Sequence, residues 1–281
     1  MKRRIDEALV HYVEHGGGVP LVALHGVGVD HREIEAAIEA IVPGTGYRRI
    51  YPDLPGMGLS TTDGLTSNDD VVRLIGDFIH SLGAGPVMLV GHSYGAYLAR
   101  GVAAQRPDTV LGLTLLCPVT ERSRHVPDHA VVRQDADAYD ELERAQWAGF
   151  DEYFVVRTAA TARRYRDQVV PGTTLVDEEA LGRIFAGWTI DVGPSAFSGP
   201  TLIVAGRRDS VVGYADAAEL LERYPHATLA VRRRRRRSCA HARAARTARR
   251  PVRRLVGSAD ALGRRFYRDV SVQVTGSSWT P

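Results

Sequence analysis

The stretch that most limits what this chain can fold into is Pro86 to Arg100, P-V-M-L-V-G-H-S-Y-G-A-Y-L-A-R. A short apolar run from Pro86 to Val90 reads as a strand, Gly-His-Ser-Tyr-Gly as a sharp turn, and the Ala- and Leu-rich run behind it as a helix. Strand, turn and helix in that order place the hydroxyl of Ser93 above the end of a sheet. Gly91 and Gly95 permit close backbone approach on either side. The N–H of Tyr94, opening the helix, then faces the point where charge would develop if Ser93 attacked a carbonyl carbon. G-x-S-x-G alone is a weak signal; these flanks make it specific.

The rest of the chain supplies a sheet for that turn. Residues 5–14 and 20–25 read as strands, the second almost wholly apolar, as a buried parallel strand requires. It runs into H-G-V-G-V-D at 25–30 and a helical stretch from His31 to Ile41, with apolar residues at Ile34, Ala37, Ile38 and Ile41. A glycine turn after such a strand suits a second donor, the N–H of Val27. A strand then enters the Pro/Gly loop Asp53 to Ser60, where Asp53 reads as a brace of the turn rather than an acid catalyst. Ser67, with Asp69 and Asp70 behind it, opens an amphipathic helix. Val110 to Cys117 is a further strand, with Cys117 expected to be buried.

Strand signals largely stop between Val119 and Pro194. Helical segments with aromatic residues take over at Tyr139–Phe150, Tyr153–Tyr165 and Glu178–Trp188. The sheet resumes with T-L-I-V-A-G after Pro200, a helix near Ala215–Arg223 and A-T-L-A-V at 227–231. This alternation predicts an α/β fold: a doubly wound, mostly parallel sheet with an inserted helical cap. Its parts are core residues 1–118, a cap at 119–194, core residues 195–231 and an atypical tail at 232–281. Trp147, Phe150, Phe154, Phe185 and Trp188 of the cap are candidates to line a substrate pocket, with His25, Gly26 and His92 beneath. For each ring the competing role is to hold the cap together.

A chain of 281 residues with 44% apolar and 25% charged content fits a soluble globular protein. No apolar run reaches membrane-spanning length, and M-K-R-R-I-D-E lacks an apolar signal-peptide core, so the expected location is cytoplasmic with no membrane partner. Cys117 and Cys239 have no metal-ligand spacing or disulfide framework, and no cofactor or metal is called for. The net charge of +3 hides a division: residues 1–231 carry −10 and residues 232–281 carry +13. Lys2 is the only lysine, an Arg bias that suggests GC-rich codons.

Four segments together resemble the α/β-hydrolase superfamily, in particular small capped bacterial hydrolases of the esterase and carbon–carbon hydrolase type. They are H-G-V-G-V-D at 25–30, D-L-P-G-M-G-L-S at 53–60, G-H-S-Y-G at 91–95 and G-R-R-D-S-V-V at 206–212. The resemblance covers residues 5–231. It implies Ser93 as nucleophile, Asp209 as the acid that orients a histidine, and the N–H groups of Val27 and Tyr94 as the oxyanion hole. The implied substrate is a small, partly apolar ester, amide, lactone or carbon–carbon compound. Epoxide- and haloalkane-hydrolysing branches carry Asp where this chain has Ser93.

The same resemblance implies a histidine beyond Asp209, after the last strand, because a neutral serine hydroxyl needs a base to take its proton. His226 precedes the last strand, and His241 sits in R-S-C-A-H-A-R without the family's Gly-His loop or closing amphipathic helix. Six arginines, 232–237, stand where that loop should begin. One reading of the tail is a basic arm for nucleic acid or anionic lipid. The other, which accounts for more, is a frame change near Val231. GC-rich codons read one base later permit V-D-A-A-G-H-A-L-T-L-E-Q-P-E-L-L-A-A-L-F-G-D-W-L, which restores the Gly-His loop and an amphipathic helix. Competing functions are thus an impaired serine hydrolase, a non-catalytic ligand-binding protein on the same scaffold, and nucleic-acid binding through the tail.

Overall fold

The computed structural model describes residues 1–42, 44–121, 126–192 and 197–232. The tail beyond Arg232, with His241, the frame-change reading and the basic-arm reading, lies outside the described residues.

The first half supplies β1 (Lys2–Ile5), β2 (Ala8–Gly16), β3 (Val19–Leu24), α1 (His31–Ile41), β4 (Tyr47–Pro52), α2 (Asn68–Ser81), β5 (Val87–His92), α3 (Tyr94–Gln105) and β6 (Val110–Leu116). Next come β7 (Arg133–Gln134), α4 (Trp147–Tyr153), β8 (Val156–Arg157), α5 (Ala159–Arg164), a π-helical turn at Tyr165–Val169, α6 (Val170–Thr173) and α7 (Glu178–Ala186). β9 (Thr201–Gly206), α8 (Ala215–Glu219) and β10 (Ala227–Arg232) return the chain to the sheet.

Eight strands form one sheet in the order β1-β2-β4-β3-β5-β6-β9-β10. β1, β2 and β4 pair antiparallel, and every pair from β4 to β10 is parallel. The single strand expected at 5–14 is instead a hairpin arm, because Asp6 adopts φ 49° and reverses the chain between β1 and β2. Asp tolerates that left-handed region better than most residues.

Helices cover both faces. The stripe Ile34, Ala37, Ile38 and Ile41 of α1 packs with Leu21, Ala23, Val90, Leu202 and Val204. Asp30 caps α1 by accepting the Arg32 N–H at 3.0 Å. On the opposite face α2 and α3 join a larger core with Val22, Leu24, Leu89 and Ile203. Ser67 caps α2 through the Asp70 N–H at 3.2 Å.

Because β4, β3, β5, β6 and β9 run parallel, the segments that follow them gather at one edge of the sheet. These segments carry Asp53, Val27, Ser93, Cys117 and Asp209. The helical segments between β6 and β9 form a cap over this edge: Asp177 N–H donates to Gly56 O at 2.8 Å, Met57 bridges Val176, and Asn68 N–H reaches Gly187 O at 3.2 Å. The helix expected from Tyr139 begins only at Trp147, after turns through residues 136–141 and one 3₁₀ turn at Arg144–Gln146. Cys117 is partly exposed rather than buried, lying one residue past β6 with φ 44°.

Candidate active site

Ser93 has φ 52° and ψ −115° between the last residue of β5 and the first of α3. A non-glycine residue with those angles is strained, and such strain persists only where the surroundings enforce it. Here the Ser93 N–H donates to Leu116 O at 2.9 Å, and its carbonyl accepts from Ala96 and Tyr97 at 3.0 and 3.2 Å. A Cβ on Gly91 would come within 2.3 Å of Gly95 O, and one on Gly95 within 2.4 Å of both Leu24 O and His25 O. The two glycines therefore do different work. Gly91 lets the helix fold back on its own strand, and Gly95 seats α3 against the end of β3. That second contact sets the end of β3, from which the turn carrying Val27 departs, against the start of α3.

Asp209 follows β9 and is 5% exposed. One carboxylate oxygen accepts the N–H groups of Val211 and Val212, each at 3.0 Å. Burial pushes its pKa up, against the pull of those N–H groups and the Cys117 thiol. Among the described residues no hydrogen bond joins the Ser93 hydroxyl to a histidine. His226 stands at the entrance of β10, where its carbonyl accepts from Thr201. It is thus at the edge opposite Ser93, about 20 Å away along a six-residue strand.

The histidines near Ser93 are otherwise engaged. His25, proposed for the pocket wall, is 0% exposed: Leu54 N–H donates to its Nε2 at 2.9 Å while Nδ1 lies 2.7 Å from Gly26 O. Accepting at Nε2 fixes the neutral ring with hydrogen on Nδ1, and burial holds its pKa below the usual imidazole value. It braces two loops and presents no nitrogen to substrate. Gly26 is likewise buried, its carbonyl taken by that ring. His92 Nδ1 lies 3.0 Å from Glu33 Oε1. Burial pulls the His92 pKa down, but the Glu33 charge outweighs it and the net shift is upward; the matching shift of Glu33 is downward. Through this pair Glu33, on α1, is held against the residue that precedes the serine.

Asp53 does brace its loop. It accepts the N–H of His31 at 3.0 Å and of Leu59 at 2.9 Å, and two imidazoles besides, His31 at 2.7 Å and His11 at 2.8 Å. Burial disfavours its charge, yet these donors hold its pKa well below the carboxylate range.

The cap aromatics divide. Phe150 and Phe154, expected at the pocket, are 0% and 1% exposed and pack with Tyr153, Tyr165 and Val29. They hold the cap together. Trp147 is 40% exposed and leans on Tyr139 at 4.9 Å. Phe185 and Trp188 instead reach the start of α3. Phe185 meets the Tyr94 ring edge-on at 5.2 Å, and Trp188 stacks on Tyr97 at 5.1 Å. Asn68 completes this contact, accepting from Tyr94 Oη at 2.6 Å and donating to Trp188 O at 2.8 Å.

Glu33 and Asn68 escaped the sequence reading. Glu33 left a signal, a charge on the buried stripe of α1 one residue before Ile34, whereas Asn68, at the foot of α2, is marked only by its 0% exposure in the structure.

The family described as "alpha/beta hydrolase fold" matches residues 19–243. The chain belongs to that family. An α/β-hydrolase from Oenococcus oeni PSU-1 superposes with a TM-score of 0.73 at 25% identity, covering 82% of this chain and 89% of that one. A meta-cleavage product hydrolase from Pseudomonas fluorescens IP01 gives a TM-score of 0.60 at 24% identity, over 80% and 85%. An (E)-2-((N-methylformamido)methylene)succinate hydrolase of Acinetobacter baylyi is 36% identical over 127 residues, 45% of this chain and 48% of that protein. Lipase LipV of Mycobacterium tuberculosis is 36% identical over 108 residues, 36% and 41% respectively. The chain spans less than half the length of these curated relatives in such matches. No helix among the described residues of this α/β-hydrolase is long and apolar enough to cross a membrane.

Proposed function

We propose that the chain is a capped serine hydrolase scaffold that, in the sequence as written, lacks its general base. The observation that carries this reading is the backbone of Ser93, held at φ 52° on the apex between β5 and α3, with Asp209 buried at the same sheet edge. In the proposed reaction Ser93 Oγ attacks a carbonyl carbon, its proton passes to a histidine oriented by Asp209, and the N–H groups of Val27 and Tyr94 hold the oxyanion. Phe185 and Trp188 supply the apolar side that favours a small, partly apolar ester, amide, lactone or carbon–carbon substrate. Relatives named for an N-methylformamido compound, a lipase and a meta-cleavage product hydrolase support that range.

The step without an assigned base among the described residues is the proton transfer. His25 is locked neutral between two backbone groups, His92 is paired with Glu33, His129 Nδ1 is taken up by Ser210 Oγ at 2.9 Å, and His226 is at the far edge. The coding nucleotides for residues 225–260 test the reading: the frame one base later is expected to encode Gly-His followed by an amphipathic helix. A shifted frame without Gly-His would refute the frame change. Labelling by a fluorophosphonate tests the nucleophile separately. Rapid stoichiometric labelling of Ser93 in the frame-restored chain is expected, whereas none would favour a ligand-binding protein.

A further inference from the structure

Away from the serine turn, three ligand-type side chains converge from elements far apart in sequence. His11 comes from β2, His31 opens α1, and Asp53 follows β4. One atom from each lies within 4.8 Å of the others. We propose that His11 Nδ1, His31 Nδ1 and the Asp53 carboxylate form a binding site for a first-row transition-metal dication such as Zn²⁺.

The donor set suits such an ion, since imidazole with carboxylate is a common environment for zinc and its neighbours. Bond lengths of about 2.0–2.2 Å in a tetrahedral arrangement separate ligand atoms by roughly 3.3 Å. The Asp53 oxygens now lie 2.8 Å from His11 Nδ1 and 2.7 Å from His31 Nδ1. Each imidazole nitrogen therefore needs to part from its carboxylate oxygen by only about half an ångström, while the two nitrogens, within 4.8 Å of each other, settle to the same spacing. Asp53 can bind without losing its anchors. Each oxygen keeps one backbone N–H, from His31 to Oδ1 and from Leu59 to Oδ2. The lone pair now used by an imidazole is the one freed for metal. Each ring exchanges its Nδ1 hydrogen for the ion and carries hydrogen on Nε2 instead, so no atom changes oxidation state.

A second, independent feature points the same way. Glu35 Oε2 sits 3.9 Å from His31 Nε2, while its Oε1 is 2.6 Å from His15 Nε2. At 3.9 Å this is a charge contact rather than a hydrogen bond; a nearby carboxylate favours hydrogen on the distal nitrogen and leaves Nδ1 for a metal. The His11 and His31 side chains are 12% and 11% exposed against 1% for Asp53. An ion thus has a path from solvent, and water can fill a fourth position. Bound there, it would pin β2, the D-L-P-G loop and the segment carrying Val27 to one another.

The test uses the full chain stripped with a chelator, titrated with Zn²⁺ by calorimetry and with Co²⁺ by visible absorption. One ion per chain with micromolar affinity is expected. His11→Gln and His31→Gln, which keep a donor toward Asp53, should each weaken binding about 100-fold, and Glu35→Gln about 10-fold. His226→Ala and His241→Ala should leave it unchanged. Circular dichroism of each metal-free variant separates lost ligation from lost fold. Absence of binding below millimolar Zn²⁺, or binding that survives the His11→Gln/His31→Gln double variant, would overturn the site and leave these residues as a hydrogen-bonded clamp only.

Discussion

His92 Nδ1 and Glu33 Oε1 form a buried ion pair at 3.0 Å, each side chain 3% exposed, one residue before the serine of the turn. The two pKa shifts set its pH range. His92 is raised, so its contribution is full below about pH 6.5, the unfolded value, and fades as pH rises through the folded one. Glu33 is lowered, so its contribution is present above about pH 4.3 and lost as pH falls through its folded value. Replacing His92 by Asn strands a buried carboxylate, which costs about 3–5 kcal/mol. Urea unfolding should show the largest gap between parent and variant from about pH 4.5 to 6.5, shrinking at higher pH. A gap that widens toward pH 9 would contradict the pairing.

Gly95→Ala places a methyl 2.4 Å from two carbonyl oxygens of the β3 end, neither of which belongs to a movable side chain. The expected loss is about 1–3 kcal/mol or more, read as a drop in Tm. Gly83→Ala tests a different kind of site, since nothing lies within 4 Å of its added Cβ but its φ is +61°. Its cost should be smaller, about 1–2 kcal/mol from the backbone alone.

Asn68→Ala removes the acceptor of Tyr94 Oη and the donor to Trp188 O in one step. Leaving buried polar groups unpaired costs about 1–3 kcal/mol. The same change should loosen the cap where Trp188 stacks on Tyr97, so protease cleavage between residues 126 and 192 should speed up while the sheet core stays protected.

The serine turn was legible because its residue types lie close in sequence, Gly91, Ser93 and Gly95 within five residues, although the contacts that hold it, to Leu116 O and the end of β3, come from far along the chain. The parallel sheet was legible for a similar reason, since each buried strand is a local apolar run. What escaped depended on contacts across the chain. Phe150 and Trp188 look alike as cap aromatics, yet one is consumed by Tyr153, Tyr165 and Val29 while the other reaches α3. The cluster of His11, His31 and Asp53 spans 42 residues and no motif joins it. The hairpin at Asp6 was hidden because one residue with positive φ breaks what composition reads as a continuous strand.

Asp209 should titrate in the opposite sense to Glu33. Its pKa is raised chiefly by burial, so its contribution falls as pH rises through the folded value. Asp209→Asn is therefore expected to gain stability relative to the parent between acid and neutral pH, measured by thermal melts at both. In the frame-restored chain the same change should lower kcat by about 10⁴, the scale seen when the triad acid of a serine protease becomes an amide.

Hydrolysis of a short-chain aryl ester tests the proposal that Ser93 is a nucleophile without a base in the chain as written. Loss of the base alone costs on the order of 10⁶ in turnover in a serine protease. The chain as written is expected to hydrolyse the ester at close to the background rate. The frame-restored chain should be faster by orders of magnitude, and its Ser93→Ala variant should return to background. Rapid turnover by the chain as written, abolished by His241→Ala, would contradict the account, as would a restored chain that stays inactive.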